Sequence, residues 1–184
     1  MTEELQKYNE SIENCAANKK NELVLNDGVA HNAIIMTGMF KYAKKICMFC
    51  GVGSIYRNEF NTKVAGKENI NADVMDNLYA AIKKFIDNRN NTLDVILENA
   101  DDFVNNIHEK LKGTLSSSNV KFHVLSRDIT PEYHFSIGDD CMYRREIGRK
   151  EHKAFANFND TVITSLFQDQ FSMLKFFSTP FKIE

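Results

Sequence analysis

The chain has 184 residues, of which 43% are hydrophobic and 26% charged, and its formal net charge at pH 7 is -2. This composition predicts one globular domain with a substantial core and excludes an intrinsically disordered chain. The sequence has neither an apolar run long enough to span a bilayer nor an N-terminal secretion signal, so we expect a cytoplasmic protein without membrane contact. The low net charge gives no general attraction to nucleic acid, and contact with a phosphate must depend on a local cluster.

The N-terminal part is predicted to form a helix or arm over residues 1–25, because Leu5, Tyr8 and Ile12 recur at helical spacing in polar sequence. The main domain is predicted to cover residues 26–184. It begins with a helix from Val29 to Ala43, for which Asp27 is the expected capping residue.

Three short apolar stretches are predicted to be adjacent strands of one sheet: Ile46–Phe49, Leu93–Leu97 and Val120–Leu125. Helices are expected around residues 74–85, 103–111 and 161–178, so helices first alternate with strands and strands then follow one another. This order predicts an α/β layered sheet with helices on both faces. The segment GVGSIYRNEF, residues 51–60, is a candidate functional loop because loops at strand ends often carry sites.

The four cysteines do not predict a metal site. Cys47 and Cys50 form a Cys-x-x-Cys pair, but strand positions three apart face opposite sides of a sheet, and no second close pair exists. We therefore expect reduced core thiols, with no metal and no cofactor.

The densest group of charged and amide side chains lies in residues 133–160. It is predicted to form a strand, a Gly-Asp-Asp turn, a second strand carrying Arg144, Arg145 and Glu146, and a short strand over Ala154–Phe158. Arg144, Arg145 and Glu146 are candidate ligand-binding residues. Neighbouring strand residues point to opposite sides, so only one of the two arginines is expected to face a site. The N-terminus of the last helix is expected to lie beside that site and to favour an anion.

The segments HFSIGDD and AFANFND resemble the phospholipase D superfamily, whose members pair a histidine and a lysine on one strand with a downstream aspartate and a later asparagine-containing strand. The resemblance covers about residues 26–178 and implies a phospholipase D-like layered sheet with a single, degenerate His-Lys-Asp half-site. It further implies that His134, Asp139 and Asn157 are the catalytic positions, Asn157 being the best matched.

No alignment register reproduces the complete family motif. With Asp139 as the family aspartate, His134 takes the lysine position and Glu132 the position of the nucleophile. With His134 as the nucleophile, Ser136 replaces the lysine and Cys141 the aspartate. The same residues also have ordinary explanations: a hydrogen-bonded structural histidine and a plain hairpin turn.

The resemblance therefore implies either of two functions. One is a degenerate domain that binds a phosphate-bearing ligand or a protein partner as an accessory or regulatory subunit, for example in a bacterial defence system. The other is an active phosphodiesterase or nuclease that uses His134 with Arg144 or Arg145 and Asn157. A purely structural interaction module is a third alternative. Because family sites combine two motif copies and this chain has one, the expected partner is a second copy or a related subunit, and the expected ligand is phosphate-bearing or a nucleic acid.

Overall fold

The computed structural model describes residues 1–56, 72–126, 129, 131–148 and 151–183, with only the backbone described at 151 and 152. Its centre is an eight-stranded sheet with the strand order β1-β7-β6-β5-β2-β3-β4-β8. The strands are β1 Val24–Asp27, β2 Lys45–Phe49, β3 Thr92–Leu97, β4 Val120–Leu125, β5 Phe135–Gly138, β6 Met142–Gly148, β7 Glu151–Asn157 and β8 Ser178–Phe181.

Five α-helices are described: α1 Glu3–Ala17, α2 Val29–Tyr42, α3 Ala72–Asp87, α4 Ala100–Val104 and α5 Thr161–Phe176. Short 3-10 turns cover Ser54–Tyr56 and Glu109–Leu111. The fold is the predicted mixed α/β arrangement. Within the described residues, the helices are too short or too polar to cross a membrane.

The three apolar strands predicted to be adjacent are confirmed, since β2, β3 and β4 are neighbours and run parallel. Strands β5, β6 and β7 continue from β2 as an antiparallel meander. The end of the sheet where β2, β3 and β4 finish is called the C-terminal end below. The strand pairings place the start of β5, the end of β6 and the end of β1 at this C-terminal end.

Each face of the sheet has its own core. On the first, the α2 face, helices α1, α2 and α3 pack over apolar strand residues such as Met48 and Val95. On the second, the α5 face, helix α5 packs over Phe49, Ile96 and Phe135. Helices on both faces are therefore confirmed.

The chain start is joined closely to the rest of the fold. Helix α1 buries Ile12 and Ala16 against α2, and β1 crosses the predicted boundary at residue 25 to pair with β7. The predicted cap Asp27 lies in β1 instead, and Gly28 occupies the N-cap position of α2 without a side-chain hydrogen bond. That expectation was wrong because the residues before α2 are extended and pair with the sheet.

Two further expectations are corrected. The helix predicted around residues 103–111 is divided into α4 and a 3-10 turn, since the His108 side chain accepts a hydrogen bond from Lys110 N and begins a new turn. The last helix, expected over residues 161–178, ends at Phe176, and Ser178 begins strand β8, which the sequence did not predict. Residues 57–60 of the predicted functional loop lie outside the described residues.

Candidate functional site

A buried polar cluster lies on the α2 face at the C-terminal end of the sheet. Arg144 and Glu146 share this face because they are two residues apart on β6, and His134 precedes the neighbouring strand β5. His134 Nδ1 lies 2.7 Å from Glu146 Oε2, and Arg144 Nη2 donates to Glu146 Oε1 over 3.4 Å. A carboxylate only accepts hydrogen bonds, so the contact assigns the proton to His134 Nδ1 and leaves Nε2 as the second ring nitrogen.

The three side chains are electrostatically coupled. Burial acts to raise the pKa of Glu146, but the hydrogen bond from His134 and the charge of Arg144 outweigh burial and hold that pKa below its ordinary value. Burial lowers the pKa of Arg144, and Glu146 opposes this shift. Glu146 is therefore ionised at neutral pH, and one carboxylate serves both His134 and Arg144.

The cluster contains buried polar atoms without a hydrogen-bond partner in the described part of the chain. They are His134 Nε2, Arg144 Nε and Asn26 Nδ2. Asn26 on β1 lies in the same row of the sheet as Glu146, with the small Ala154 between them. We call His134, Arg144, Glu146 and Asn26 the Arg144 cluster.

Such atoms matter energetically. A buried polar group without a partner costs about 1–3 kcal/mol, and native proteins normally satisfy it with protein, water or a ligand. Three of these atoms in one cluster therefore indicate that the cluster receives another polar group.

Helices α1 and α2 contribute the surroundings of the cluster. The Tyr8 hydroxyl donates to the Leu25 carbonyl over 2.8 Å, and the Tyr8 ring stacks on His31 at 4.0 Å. Burial raises the pKa of Tyr8, while the positive charge of Arg144 acts in the opposite direction. The start of α2 at Gly28 lies at this end of the sheet, so its unpaired backbone amides add positive potential there.

The loop after β2 packs its backbone directly on His134. Gly51 has φ +57°, and a Cβ at this position would lie 2.4 Å from His134 Nε2. Only glycine tolerates both this conformation and this close approach. Gly51 of the predicted loop therefore adjoins the cluster.

Two of the predicted catalytic residues lie at the opposite end of the sheet. Asp139, with φ 49°, follows β5, and its Oδ1 accepts hydrogen bonds from the backbone amides of Lys44 at 2.8 Å and Lys45 at 2.9 Å. Asn157 ends β7 and donates to Asn21 Oδ1 over 2.8 Å. The structure brings neither residue to His134.

Arg145 lies on the α5 face, as the alternation of the strand requires. Its guanidinium carbon is 4.0 Å from the ring centre of Tyr133 and 5.4 Å from that of Phe155. These residues line a cleft of about 320 Å³ beside α5. The N-terminus of α5, where Asp160 Oδ1 accepts from Ile163 N, follows β7 at the end opposite the cluster, so the dipole beside the site comes from α2.

Sequence reasoning singled out His134, Arg144 and Glu146, which the structure brings together, but not Asn26 or the close approach of Gly51. The missing signal was strand β1, which places Asn26 in the sheet and the start of α2 above it. Among the described residues, no group of histidine, cysteine and acidic side chains has the arrangement of a metal site. The four cysteines are free, and burial raises the pKa of Cys47 to about 11.

The sequence matches no protein-family model and no curated protein. Solved structures are similar in fold. Nuc from Salmonella typhimurium, a phospholipase D family member, matches with a TM-score of 0.54 and 14% identity over 88% of this chain and 99% of Nuc. NucT from Helicobacter pylori matches with a TM-score of 0.54 and 11% identity, covering 88% of this chain and 99% of NucT.

TrmBL2, described as an archaeal chromatin protein with a novel mode of DNA binding, matches with a TM-score of 0.55 and 11% identity. The similarity covers 97% of this chain but only 62% of TrmBL2. At these identities the matches establish a phospholipase D-like fold.

Proposed function

We propose that this chain is a degenerate phospholipase D-like domain that binds a phosphate-bearing ligand at the Arg144 cluster. It acts as an accessory or regulatory subunit without phosphodiesterase turnover. The observation that carries the proposal is a buried arginine with its Nε unpaired, on the same face of the sheet as a second unpaired donor, Asn26 Nδ2, at the C-terminal end of the parallel strands. In open α/β sheets, ligands commonly bind at this end.

The donors of the cluster suit an anion. Arg144 Nε and Asn26 Nδ2 carry hydrogens that are not donated within the described structure, and the amides at the start of α2 add to them. The acidic member, Glu146, is already engaged by His134 and Arg144. Charge-assisted hydrogen bonds to a phosphate oxygen are about twice as strong as neutral ones, so Arg144 is the expected main contact.

The absence of a lysine argues against turnover. Attack by a histidine on phosphorus requires a preorganised cation for the charge that develops on the phosphoryl oxygens. Ser136 occupies the position two residues after His134, where the resemblance implies the lysine, and the backbone of Gly51 packs against His134 Nε2.

An active phosphodiesterase remains the second candidate because of the contact between His134 and Glu146. A histidine whose Nδ1 is held by a carboxylate presents Nε2 in a fixed orientation, which is how nucleophilic and basic histidines are commonly positioned. In that mechanism His134 Nε2 forms a bond to phosphorus as the bond between phosphorus and the leaving oxygen breaks, and the leaving oxygen takes a proton from water. A second water then hydrolyses the phosphohistidine and returns His134 to its starting state. Arg144 then has to replace the lysine.

Binding is tested by isothermal titration with inorganic phosphate, a nucleoside monophosphate and a short single-stranded DNA. One or more of these ligands should bind the wild type. For that ligand we expect Arg144→Gln to raise the dissociation constant by about tenfold or more, which corresponds to the loss of one charge-assisted hydrogen bond. Arg145→Gln is the matched control, since it removes the neighbouring cation on the opposite face. Asn26→Ala, which keeps the ion pair intact, should also weaken binding.

Equal affinities in the two arginine variants, with circular dichroism showing both folded, would contradict the site. Turnover is measured separately with bis(p-nitrophenyl) phosphate. Hydrolysis that disappears in His134→Ala would replace the accessory role with a phosphodiesterase.

The setting of such a subunit stays a prediction from the family resemblance, whether in a bacterial defence system or elsewhere. The homodimer, or a complex with a related chain, is likewise a proposal. Light scattering at micromolar concentration tests it, and a mass of 21.1 kDa throughout the concentration range would contradict the homodimer.

A further inference from the structure

The outer side of α5 is unusually apolar. Four of its large hydrophobic side chains are mostly exposed: Val162 at 71%, Leu166 at 61%, Met173 at 56% and Phe176 at 83%. Single exposed apolar residues are common on protein surfaces, but several on one helix mark an interaction surface. The opposite side of α5 already packs on the sheet through Phe167, Phe171 and Leu174, so these four residues are not needed for the core.

The spacing of the exposed residues is that of a helix-packing seam. Positions 162, 166, 169, 173 and 176 alternate steps of four and three, which keeps them on one side of a helix. The seam extends over about 21 Å at 1.5 Å per residue. Its middle position is Asp169, which is exposed. We call Val162, Leu166, Asp169, Met173 and Phe176 the α5 seam.

No described residue balances the charge of the seam. Helix α5 carries two charged residues, Asp169 and Lys175, and Lys175 pairs with Asp94 on β3. No ion pair or hydrogen bond of the Asp169 side chain occurs within the described structure. A polar residue at a seam position commonly selects the partner and its register.

We propose that the α5 seam is the docking surface for an amphipathic helix of a different protein, which places a lysine or arginine opposite Asp169. Leu166 also lines the cleft beside Arg145 and Phe155, so an apolar side chain of the docked helix enters this cleft. The binding mode is a helix laid along an apolar surface, in which specificity comes from the single charge.

A second copy of this chain fits the seam poorly. When two α5 helices pack antiparallel with full overlap, Val162 faces Phe176 and Asp169 faces Asp169. Parallel packing in register also brings the two Asp169 carboxylates together. Like charges facing each other in an interface are unfavourable, whereas a basic residue from another protein removes this conflict.

This inference is independent of the proposed function, because the α5 seam and the Arg144 cluster lie on opposite faces of the sheet. The test uses two synthetic amphipathic peptides with leucine at the seam positions and either lysine or glutamate at the central one. Fluorescence anisotropy of labelled peptides measures their affinity for the full chain. We expect the lysine peptide to bind about tenfold more tightly than the glutamate peptide at low salt.

Two variants identify the surface. Asp169→Lys should invert the preference, so that the glutamate peptide binds more tightly, and Leu166→Ser with Met173→Ser should abolish binding of both peptides. Asp87→Lys on α3 and Val104→Ser on α4 change exposed residues elsewhere and should leave both affinities unchanged. All altered residues are solvent-exposed, so the variants are expected to fold.

Three outcomes overturn the proposal. One is that neither peptide binds. Another is that both peptides bind equally and Asp169→Lys changes nothing. The third is that light scattering shows a dimer of the wild type that Leu166→Ser with Met173→Ser dissociates, because the seam is then covered by a second copy.

Discussion

Arg144 and Arg145 are adjacent on one strand, yet they occupy two different environments. Arg144 is 5% exposed on the α2 face, where it pairs with Glu146 and retains an unpaired Nε. Arg145 is half-buried on the α5 face and lies against the rings of Tyr133 and Phe155. The alternation of strand side chains alone produces this separation.

The comparison shows how one strand serves two surfaces. The α2 face carries buried polar chemistry enclosed by several helices, whereas the α5 face carries aromatic packing beside an incompletely covered helix. A buried cation that retains an unpaired N–H is suited to bind an anion. A cation between aromatic rings mainly contributes packing, because its stem and guanidinium cover apolar surface.

The largest effect that tests this comparison concerns stability. We expect Arg144→Met to reduce the free energy of unfolding by about 3–5 kcal/mol, because it removes one partner of a buried ion pair and leaves Glu146 undercompensated. Arg145→Met should cost only about 0.5–1 kcal/mol, the value of an exposed cation–π contact. Urea unfolding followed by circular dichroism measures both.

The double substitution Arg144→Met with Glu146→Met is the control. Replacing a buried pair with apolar residues is often neutral, so the double variant should regain part of the loss. The recovery is incomplete because Glu146→Met also removes the hydrogen-bond partner of His134 Nδ1. The proposed difference between the two faces would be contradicted if both single variants lost similar unfolding free energy. It would also be contradicted if the double variant recovered none of the loss.

A second effect concerns the backbone of the Arg144 cluster. Gly51→Ala should cost about 1–3 kcal/mol in strain at its positive φ, and the new methyl group must displace the His134 ring. We expect altered nuclear magnetic resonance signals for His134 and weaker phosphate binding. Gly113→Ala is the matched control. Gly113 also has a positive φ, +78°, but no atom lies within 4 Å of an added Cβ. The variant should therefore lose stability through backbone strain but bind phosphate like the wild type.

Much of this fold was predictable because the three parallel strands are short, apolar and separated by helices. The opposite directions of Arg144 and Arg145 also followed from strand geometry. The phospholipase D-like fold was inferred from residues around His134 and Asn157, and the solved structures of similar fold support it.

The composition of the site was less predictable. Asn26 is far from His134 in sequence, and only the pairing of β1 with β7 brings its row of the sheet to Glu146. Motif spacing also did not predict that Asp139 and Asn157 lie at the other end of the strands. Short edge strands such as β1 and β8 have too few residues to show an alternating pattern.

A third, smaller effect concerns Asp139. Asp139→Ala removes acceptors for the backbone amides of Lys44 and Lys45, and we expect a loss of about 1–2 kcal/mol from these two hydrogen bonds. Phosphate affinity should stay within about twofold of wild type, because Asp139 is at the far end of the sheet. A variant with unchanged stability and lost binding would instead restore the catalytic role implied by the family resemblance.

The smallest effect is the pH dependence of the unfolding free energy that results from the Glu146 carboxylate on the α2 face. Its pKa in the folded chain is lowered from 4.5, so the stabilisation is fully present above about pH 4.5 and is lost as pH falls through the folded-state pKa. The difference in unfolding free energy between wild type and Glu146→Gln should therefore narrow on acidification. Glu4→Gln, an exposed change on α1, should give a curve parallel to wild type. A difference that widens below pH 4.5 would mean that the carboxylate is not held in its charged form by His134 and Arg144. The coupling that distinguishes Arg144 from Arg145 would then be lost.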